Sequence, residues 1–182
     1  MRTAFLLIDI QNDYFPGGKN ELAGALEASM NARKLLDAFR IKKLPVIHVQ
    51  HISTRPGATF FIPGTAGSEI HNNVKPAPGE ITIVKHYPNS FRETVLLDKL
   101  KELEIEQLVV CGMMTHMCVD STVRAAYDHG FRCLLACDAC ATKNLILNNE
   151  VVNAVDIQKA FMSSLNGMFA VVKSTDDVLK EI

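Results

Sequence analysis

Cys118 lies where a cysteine side chain can act as a nucleophile. The apolar run 108–111 (LVVC) is rich in β-branched residues and predicts a strand buried on both faces, which Gly112 ends. From Cys118 onward, apolar residues recur at helical spacing as far as Gly130, a residue typical of a helix C-terminus. Free N–H groups and the helix dipole near a first turn favour a thiolate over a thiol. Cys118 is therefore a candidate nucleophile, and the alternative is that it is an apolar packing residue.

Two further polar residues follow predicted strands in the same way. Asp9 comes after the buried run 3–8 (TAFLLI), and Lys85 comes after the strand predicted over 81–84 (ITIV). Taken singly, an aspartate here caps a turn and a lysine lies at the surface. An acid, a cation and a thiol at the carboxyl ends of parallel strands together predict one site that folding assembles. In that site Lys85 would lower the pKa of the thiol, and Asp9 would take its proton and deliver it to a leaving amine.

In the rest of the sequence, predicted strands alternate with predicted helices. Helices are predicted over the amphipathic stripe from Ala28 to Phe39, after the capping-box pair Ser90 and Glu93, and over 154–165. The predicted strands are 3–8, 46–49, 81–84, 108–111, 131–136 and 168–172. Strand–helix–strand repeats form right-handed parallel crossovers. The sequence therefore predicts a single α/β domain over residues 1–182, with three α/β/α layers around a six-stranded, mainly parallel sheet.

One long stretch, residues 53–80, has no sustained period and is rich in proline and glycine. A loop of this length inside a compact domain is usually functional or disordered. Phe60 and Phe61 within it favour a lid or a subunit contact over disorder. Because this loop and the last helix offer apolar surface, we expect a homo-oligomer.

The composition excludes several classes of partner. The 182 residues are 48% hydrophobic and 21% charged, with a formal net charge of −1, so there is no electrostatic reason to expect nucleic acid or an anionic membrane. No apolar run reaches membrane-spanning length, and the first residues lack the features of a signal peptide. The five cysteines are odd in number and clustered late, which argues against a disulfide framework. We expect a cytoplasmic protein that acts on a small molecule.

The motifs together resemble those of the isochorismatase-like cysteine hydrolases, a family that includes nicotinamidases and other small-amide hydrolases. The resemblance covers nearly the whole chain. It depends on three features: the segment 9–15 (DIQNDYF), Lys85 after a strand, and the segment 111–119 (CGMMTHMCV). It implies a triad of Asp9, Lys85 and Cys118. It also implies the strand order 3-2-1-4-5-6, which puts the active-site crevice between the strands that lead to Asp9 and to Cys118.

The resemblance also implies details of the turn before Cys118. The peptide bond between Met113 and Met114 is expected to be cis. The backbone N–H groups of Met114 and Cys118 are expected to face the oxyanion. Phe15 and Phe91 are the aromatic residues nearest the triad in the family pattern, so they are the candidates for substrate contact.

The histidines near the second strand depart from the nicotinamidase pattern. Nicotinamidases hold a metal with an Asp-x-His motif there, but the corresponding segment (HVQHIS) has no aspartate. His48 and His51 are an odd number of residues apart on a strand and so point to opposite faces, and His71 adds only one more scattered histidine. We therefore predict no metal and no cofactor, which disfavours nicotinamide as the substrate. Only Arg55 and Arg92 lie near family pocket positions, so isochorismate, a dianion, is not favoured either.

The leading hypothesis is a metal-independent cysteine hydrolase that cleaves a carbon–nitrogen bond of a small amide. Cys118 attacks the carbonyl, an amine leaves, and water activated by Asp9 hydrolyses the acyl-enzyme. The alternatives are a thiol-based redox sensor or binding protein that uses Cys118, and an isochorismatase or nicotinamidase proper. Cys111 is the one other cysteine with a spacing that suits resolution of an oxidised Cys118.

Overall fold

A computed structural model describes residues 1–182 and contains eight strands and five helices. The strands are β1 (Thr3–Ile8), β2 (Val46–His51), β3 (Ile81–Lys85), β4 (Gln107–Met113), β5 (Arg132–Ala141), β6 (Leu145–Leu147), β7 (Glu150–Val152) and β8 (Val171–Lys173). The helices are α1 (Ala25–Ile41), α2 (Leu96–Glu102), α3 (Asp120–Asp128), α4 (Ala154–Leu165) and α5 (Thr175–Leu179). No helix combines the length and the apolar character needed to cross a membrane.

Six strands form one parallel sheet in the order β3-β2-β1-β4-β5-β8, which confirms the predicted order for the strands of the sheet. β1 lies between β2 and β4, and its residues from Ala4 to Ile8 are buried on both faces, as the apolar run predicts. Right-handed crossovers put α1 on one face of the sheet and α2, α3 and α4 on the other, and α5, after the last strand, packs beside α1. The strand order reverses at β1, so the carboxyl ends of β1 and β4 border the crevice where such folds bind ligands.

Helix α1 is formed by the predicted amphipathic stripe. Its stripe residues are all buried: Ala28, Ala32, Leu35, Leu36 and Phe39. The Phe39 ring stacks on Phe5 of β1 with ring centroids 5.1 Å apart, so the helix is fixed against the middle of the sheet.

Several strand predictions were wrong in their bounds. β2 and β4 each continue two residues further than predicted, to His51 and Met113, so Gly112 lies inside β4 and does not end it. β5 continues to Ala141 instead of ending at residue 136, because the pairing with β4 shifts at an irregularity and resumes with Gly112 opposite Cys140. The last strand is β8, and Met168, expected inside it, lies in the preceding turn with 63% of its surface exposed. The hairpin of β6 and β7 was not predicted at all. Its turn contains Asn148 and Asn149, both with positive φ, which is the asparagine-rich chemistry of a tight hairpin.

The capping-box prediction was also wrong. Helix α2 begins at Leu96, several residues after Ser90. The Ser90 backbone N–H and hydroxyl both bond the Thr122 hydroxyl, at 3.0 and 2.9 Å, and Glu93 adopts a φ of +55° that no helix contains. Ser90 therefore ties the segment before α2 to α3 instead of starting a helix.

Candidate active site

Asp9 follows β1 and is fully buried. Its φ of +52° lies in the left-handed region, which aspartate tolerates better than most residues, and turns the chain directly after the strand. The carboxylate oxygen Oδ2 lies 2.7 Å from Lys85 Nζ, and both side chains are 0% exposed. Burial raises the pKa of Asp9, and the Lys85 ammonium only partly opposes the rise. The acid and the cation that the sequence predicts at strand ends thus form one buried ion pair.

Lys85 has three protein acceptors around its ammonium group. Besides Asp9, the Tyr87 carbonyl oxygen and His51 Nδ1 each lie 3.1 Å from Nζ. Burial would lower the pKa of Lys85, but the Asp9 carboxylate, together with the nearby Cys118 sulfur, outweighs it and holds the pKa above its usual range. Lys85 therefore stays an ammonium ion in this site.

Cys118 lies in a π-helical turn, Thr115–Val119, immediately before α3, and only 5% of it is exposed. Its Sγ, an Asp9 carboxylate oxygen and a His51 ring nitrogen all lie within 4.8 Å of one another. Burial and the Asp9 charge raise the pKa of Cys118 far above that of a free thiol, and Lys85 only partly opposes them. The sequence predicted the opposite direction, because helix-terminal N–H groups are visible in a sequence pattern and burial is not. In the resting site Cys118 is a thiol beside the Asp9–Lys85 pair.

The close approach of β4 to β1 depends on a glycine near the end of β4. Gly112 has φ +138°, and a Cβ atom there would lie 2.1 Å from the Ile8 carbonyl oxygen of β1. Only glycine lets the two strand ends approach this closely. The peptide bond between Met113 and Met114 is cis, and the Met114 N–H has no backbone acceptor. The turn therefore presents a free N–H beside the start of the Cys118 segment.

Thr115 anchors the same turn to the layer behind it. Its hydroxyl lies 2.7 Å from Gln158 Oε1 on α4 and 3.2 Å from the Ala141 carbonyl oxygen at the end of β5. The Gln158 amide in turn donates to the Cys137 and Cys140 carbonyl oxygens. The position of the π-helical turn is thus set by β5 and α4, which the sequence pattern alone could not show.

The long stretch 53–80 is fastened against the site by the residues after Asp9. The buried Asp13 carboxylate accepts the Phe61 N–H at 2.7 Å, and a Cβ at Gly67 would lie 2.2 Å from that carboxylate. The Phe61 ring packs edge-to-face on Tyr14 with centroids 4.6 Å apart. Tyr14 is near enough to Cys118 that, with burial as the larger cause, the thiolate charge raises the pKa of the phenol. The stretch 53–80 therefore packs against the segment that follows Asp9, and its role as a lid or a subunit contact stays a prediction.

Gln11 joins three segments next to the site. Its amide Nε2 donates to the His51 and Ser68 carbonyl oxygens at 2.8 and 2.7 Å, and its Oε1 accepts the His51 N–H at 2.7 Å. The side chain therefore pairs with the His51 backbone as a neighbouring strand would. Because Gln11 is fully buried and every one of these bonds is short, it fixes the end of β2.

The two predicted substrate-contact residues have other partners. The Phe15 ring stacks on His71 with centroids 3.7 Å apart. The Phe91 ring contacts His129 and Phe131, which lie at the end of α3 and just before β5, at the amino edge of the sheet. Phe91 thus faces the edge opposite the Asp9–Lys85 pair, and the expectation for it was wrong.

The residues near Asp9 do not fit a metal site in their present arrangement. Asp9, His51 and Cys118 offer an oxygen, a nitrogen and a sulfur within 4.8 Å, but the Lys85 ammonium bonds His51 Nδ1 and pairs with Asp9 in that space. A metal ion there would have to displace a buried cation from two of its partners. His48 and His71 contribute nothing, since His48 bonds Glu80 and His71 stacks on Phe15.

His51 and Tyr14 are the residues that sequence reasoning missed. His51 ends β2 and so shares the carboxyl edge with Asp9 and Lys85; the rule that identified those two residues applies to it as well. It was weighed only as a metal ligand. Tyr14 had no such signal, because its contact with the site depends on how the chain turns after Asp9.

Comparison with known proteins gives consistent matches over almost the whole chain. The family model for the Isochorismatase domain matches residues 3–177. An uncharacterized isochorismatase-family protein of Bacillus subtilis, YddQ, is 52% identical over 180 residues, covering 99% of this chain and 100% of its own. The crystal structure of a protein from Oleispira antarctica assigned as an isochorismatase hydrolase has a TM-score of 0.95 at 46% identity, covering 98% of this chain and 96% of the other. The N-carbamoylsarcosine amidase of Thermoplasma acidophilum has a TM-score of 0.81 at 26% identity, with 97% and 98% coverage.

Proposed function

This chain belongs to the isochorismatase family of hydrolases, and from that premise we propose that it hydrolyses a carbon–nitrogen bond of a small amide through a covalent acyl-Cys118 intermediate. The observation that carries the proposal is the buried group of Asp9, Lys85 and Cys118 at the carboxyl edge of the sheet. A similar structure from another organism is an amidase by name, which supports the same reaction class.

The first half of the reaction forms the acyl-enzyme. The Asp9 carboxylate takes the proton of the Cys118 thiol as the sulfur attacks the amide carbonyl carbon. The oxyanion of the tetrahedral intermediate accepts hydrogen bonds from the backbone N–H groups of Met114 and Cys118. The carbon–nitrogen bond then breaks, Asp9 gives its proton to the leaving nitrogen, and ammonia or an amine departs.

The second half returns the enzyme to its starting state. Asp9, again a carboxylate, takes a proton from water as the water oxygen attacks the thioester carbonyl. The carbon–sulfur bond breaks, the product leaves as a carboxylic acid, and the thiol proton is restored through Asp9. Lys85 keeps its charge throughout and balances the negative charge that Asp9 and Cys118 exchange.

The site suits a small substrate that is uncharged near its reacting carbonyl. The Lys85 ammonium already forms an ion pair with Asp9 and has hydrogen-bond partners in Tyr87 and His51, so it offers no free cation to a carboxylate. Tyr14 and Phe61 line the side toward the stretch 53–80 with aromatic surface. A neutral carboxamide or carbamoyl group fits these surroundings better than a dianion does.

The redox-sensor alternative is not favoured by the thiol chemistry. Sensor cysteines are exposed and have a lowered pKa, whereas Cys118 is 5% exposed and its pKa is raised by burial. The proposed resolving residue, Cys111, is fully buried, and burial raises its pKa as well.

The test is a panel of small amides and carbamoyl compounds, assayed for release of ammonia or amine. Wild type should turn over at least one of them, and Cys118→Ala should lose that activity while its circular dichroism and unfolding midpoint stay close to wild type. Cys137→Ala removes a thiol outside the site and serves as the matched control, with activity retained. Full turnover in Cys118→Ala would rule out the proposed mechanism.

We also propose that the protein is a homo-oligomer that works in a reducing compartment such as the cytoplasm. All five cysteines are free. Five large apolar side chains on the β6–β7 hairpin and the start of α4 are 41–73% exposed: Ile146, Leu147, Val151, Val152 and Val155. A two-stranded hairpin is only marginally stable when nothing covers it. Light scattering should give a mass that is a multiple of the 20.1 kDa chain, and a monomer at micromolar concentration contradicts this proposal.

A further inference from the structure

The Lys85 ammonium lies among protein atoms: it has two hydrogen-bond partners, and it forms an ion pair with a third group. Asp9 Oδ2 lies 2.7 Å from Nζ, and the Tyr87 carbonyl oxygen and His51 Nδ1 lie at 3.1 Å. An ammonium group carries three N–H donors and has no acceptor capacity. The nitrogen His51 Nδ1 must therefore be the acceptor, which requires that it carry no proton.

We propose that His51 is a positioning residue that holds the Lys85 ammonium beside Asp9 and Cys118, through a neutral ring protonated on Nε2. The Tyr87 carbonyl oxygen and His51 Nδ1 each accept one N–H group, and the Asp9 carboxylate pairs with the positive charge at 2.7 Å. The catalytic meaning of this role depends on the function proposed above, but the bond itself can be tested without a substrate.

The position of the His51 ring is fixed by the hydrogen bonds and strand pairing of its backbone. Gln11 bonds both the N–H and the carbonyl oxygen of His51 from a fully buried position. His51 Cα is paired in register with Lys85 Cα, since β2 and β3 are neighbouring strands. The ring and the ammonium are therefore set in place by the same sheet edge, with no flexible segment between them.

Burial and the charges around His51 keep its ring neutral. Burial lowers its pKa to about 3, and the positive charge of Lys85 and the neighbouring His86 and Arg55 side chains act in the same direction. The anionic and thiol groups that face it are Asp9 and Cys118, within 4.8 Å. A proton on His51 would occupy the nitrogen that Lys85 uses, so protonation and this hydrogen bond exclude each other.

Removal of the acceptor should weaken the charged form of Lys85. In His51→Phe the ring keeps its packing beside Phe61, whose centroid lies 5.9 Å away, but one buried N–H loses its partner. A hydrogen bond to a charged form favours that form, so its loss lowers the pKa of Lys85. In His51→Gln the amide oxygen can accept in place of Nδ1, and the pKa should stay near that of wild type.

The experiment is a pH titration of the folded protein labelled with ¹³C at lysine Cε, followed by NMR, with the Lys85 signal identified by its loss in Lys85→Arg. The pKa of wild-type Lys85 should lie above the usual 10.5 of a lysine. In His51→Phe its protonation constant should fall about tenfold, which is one pKa unit, and His51→Gln should restore most of that difference. His86→Ala is the matched control, since His86 bonds the Ile52 carbonyl oxygen and makes no bond to Lys85.

Two results would overturn the inference: a Lys85 titration in His51→Phe that matches wild type, or a shift in His51→Gln as large as in His51→Phe. His51→Leu gives the same test if the larger ring prevents folding. With an active substrate, the alkaline limb of kcat/KM should move with the NMR midpoint. Failure of the proposed function would appear instead as the absence of amide turnover in wild type, and the NMR result would still stand.

Discussion

Asp9 is the residue on which the proposed chemistry depends most, and its surroundings set the pH at which it can act. It must be ionised to accept the Cys118 proton, and burial raises its pKa above the usual 3.8. Activity should therefore be present above this raised pKa and be lost as the pH falls through it. We expect the acid limb of kcat/KM to be centred above pH 3.8; a limb centred at or below that value contradicts the assignment of Asp9 as the base.

The ion pair of Asp9 and Lys85 permits a second prediction at this scale. Lys85→Met leaves the Asp9 charge buried without its cation and should reduce the free energy of unfolding by about 3–5 kcal/mol. Adding Asp9→Asn removes that charge, so the double variant should recover much of the stability without recovering activity. Urea unfolding measures both variants. Equal stability of the single and double variants would show that the pair is not electrostatically coupled.

At the residue scale, the sequence predicted which residues form the site better than it predicted their pKa values and hydrogen bonds. Asp9, Lys85 and Cys118 could be selected because each follows a strand, and strand ends follow from apolar patterning. The raised pKa of Cys118 and the bond between Lys85 and His51 could not be predicted, because burial and ring orientation depend on the packed structure.

At the scale of elements, the contact of β1 with β4 creates the crevice, and Gly112 permits it. In Gly112→Ala the new Cβ would meet the Ile8 carbonyl oxygen at 2.1 Å and force the strands apart. Because a displacement of about 1 Å can cost about 100-fold in rate, we expect at least that loss in kcat/KM. Gly130→Ala is the control: its φ is also positive, at +88°, but nothing lies within 4 Å of the new Cβ. It should lose about 1 kcal/mol of stability and keep its activity.

The fastening of the stretch 53–80 gives a prediction at the same scale. Asp13→Ala leaves the Phe61 N–H without its acceptor. This change should lower the free energy of unfolding by about 1–3 kcal/mol and loosen the stretch 53–80. Limited proteolysis should then cut within 53–80 faster than in wild type, and KM should rise. Asp98→Ala, at an exposed position on α2, is the control. An unchanged rate of proteolysis in Asp13→Ala would contradict the prediction that Asp13 fastens the stretch 53–80.

Most sheet strands and α1 could be predicted because their apolar periods are long and regular. The β6–β7 hairpin has short strands with no buried face, so it leaves no alternating pattern in the sequence. The predicted start of α2 was wrong because Ser90 bonds Thr122. This contact joins distant segments, so no local sequence pattern reveals it. The strand order came from family resemblance, since propensity does not determine which strands are neighbours.

At the scale of the whole molecule, the fold brings residues from positions 9, 51, 85 and 118 to one edge of one sheet. The central claim is that Cys118 carries the acyl group of the substrate during turnover. The most direct measurement is acid quenching of the enzyme with an active amide during turnover, followed by peptide mass mapping of all five cysteines. We expect a thioester adduct with the mass of the acyl group on the Cys118 peptide, which hydroxylamine removes, and none on the other four. Turnover with a trapped adduct on any other residue, and none on Cys118, would contradict the account.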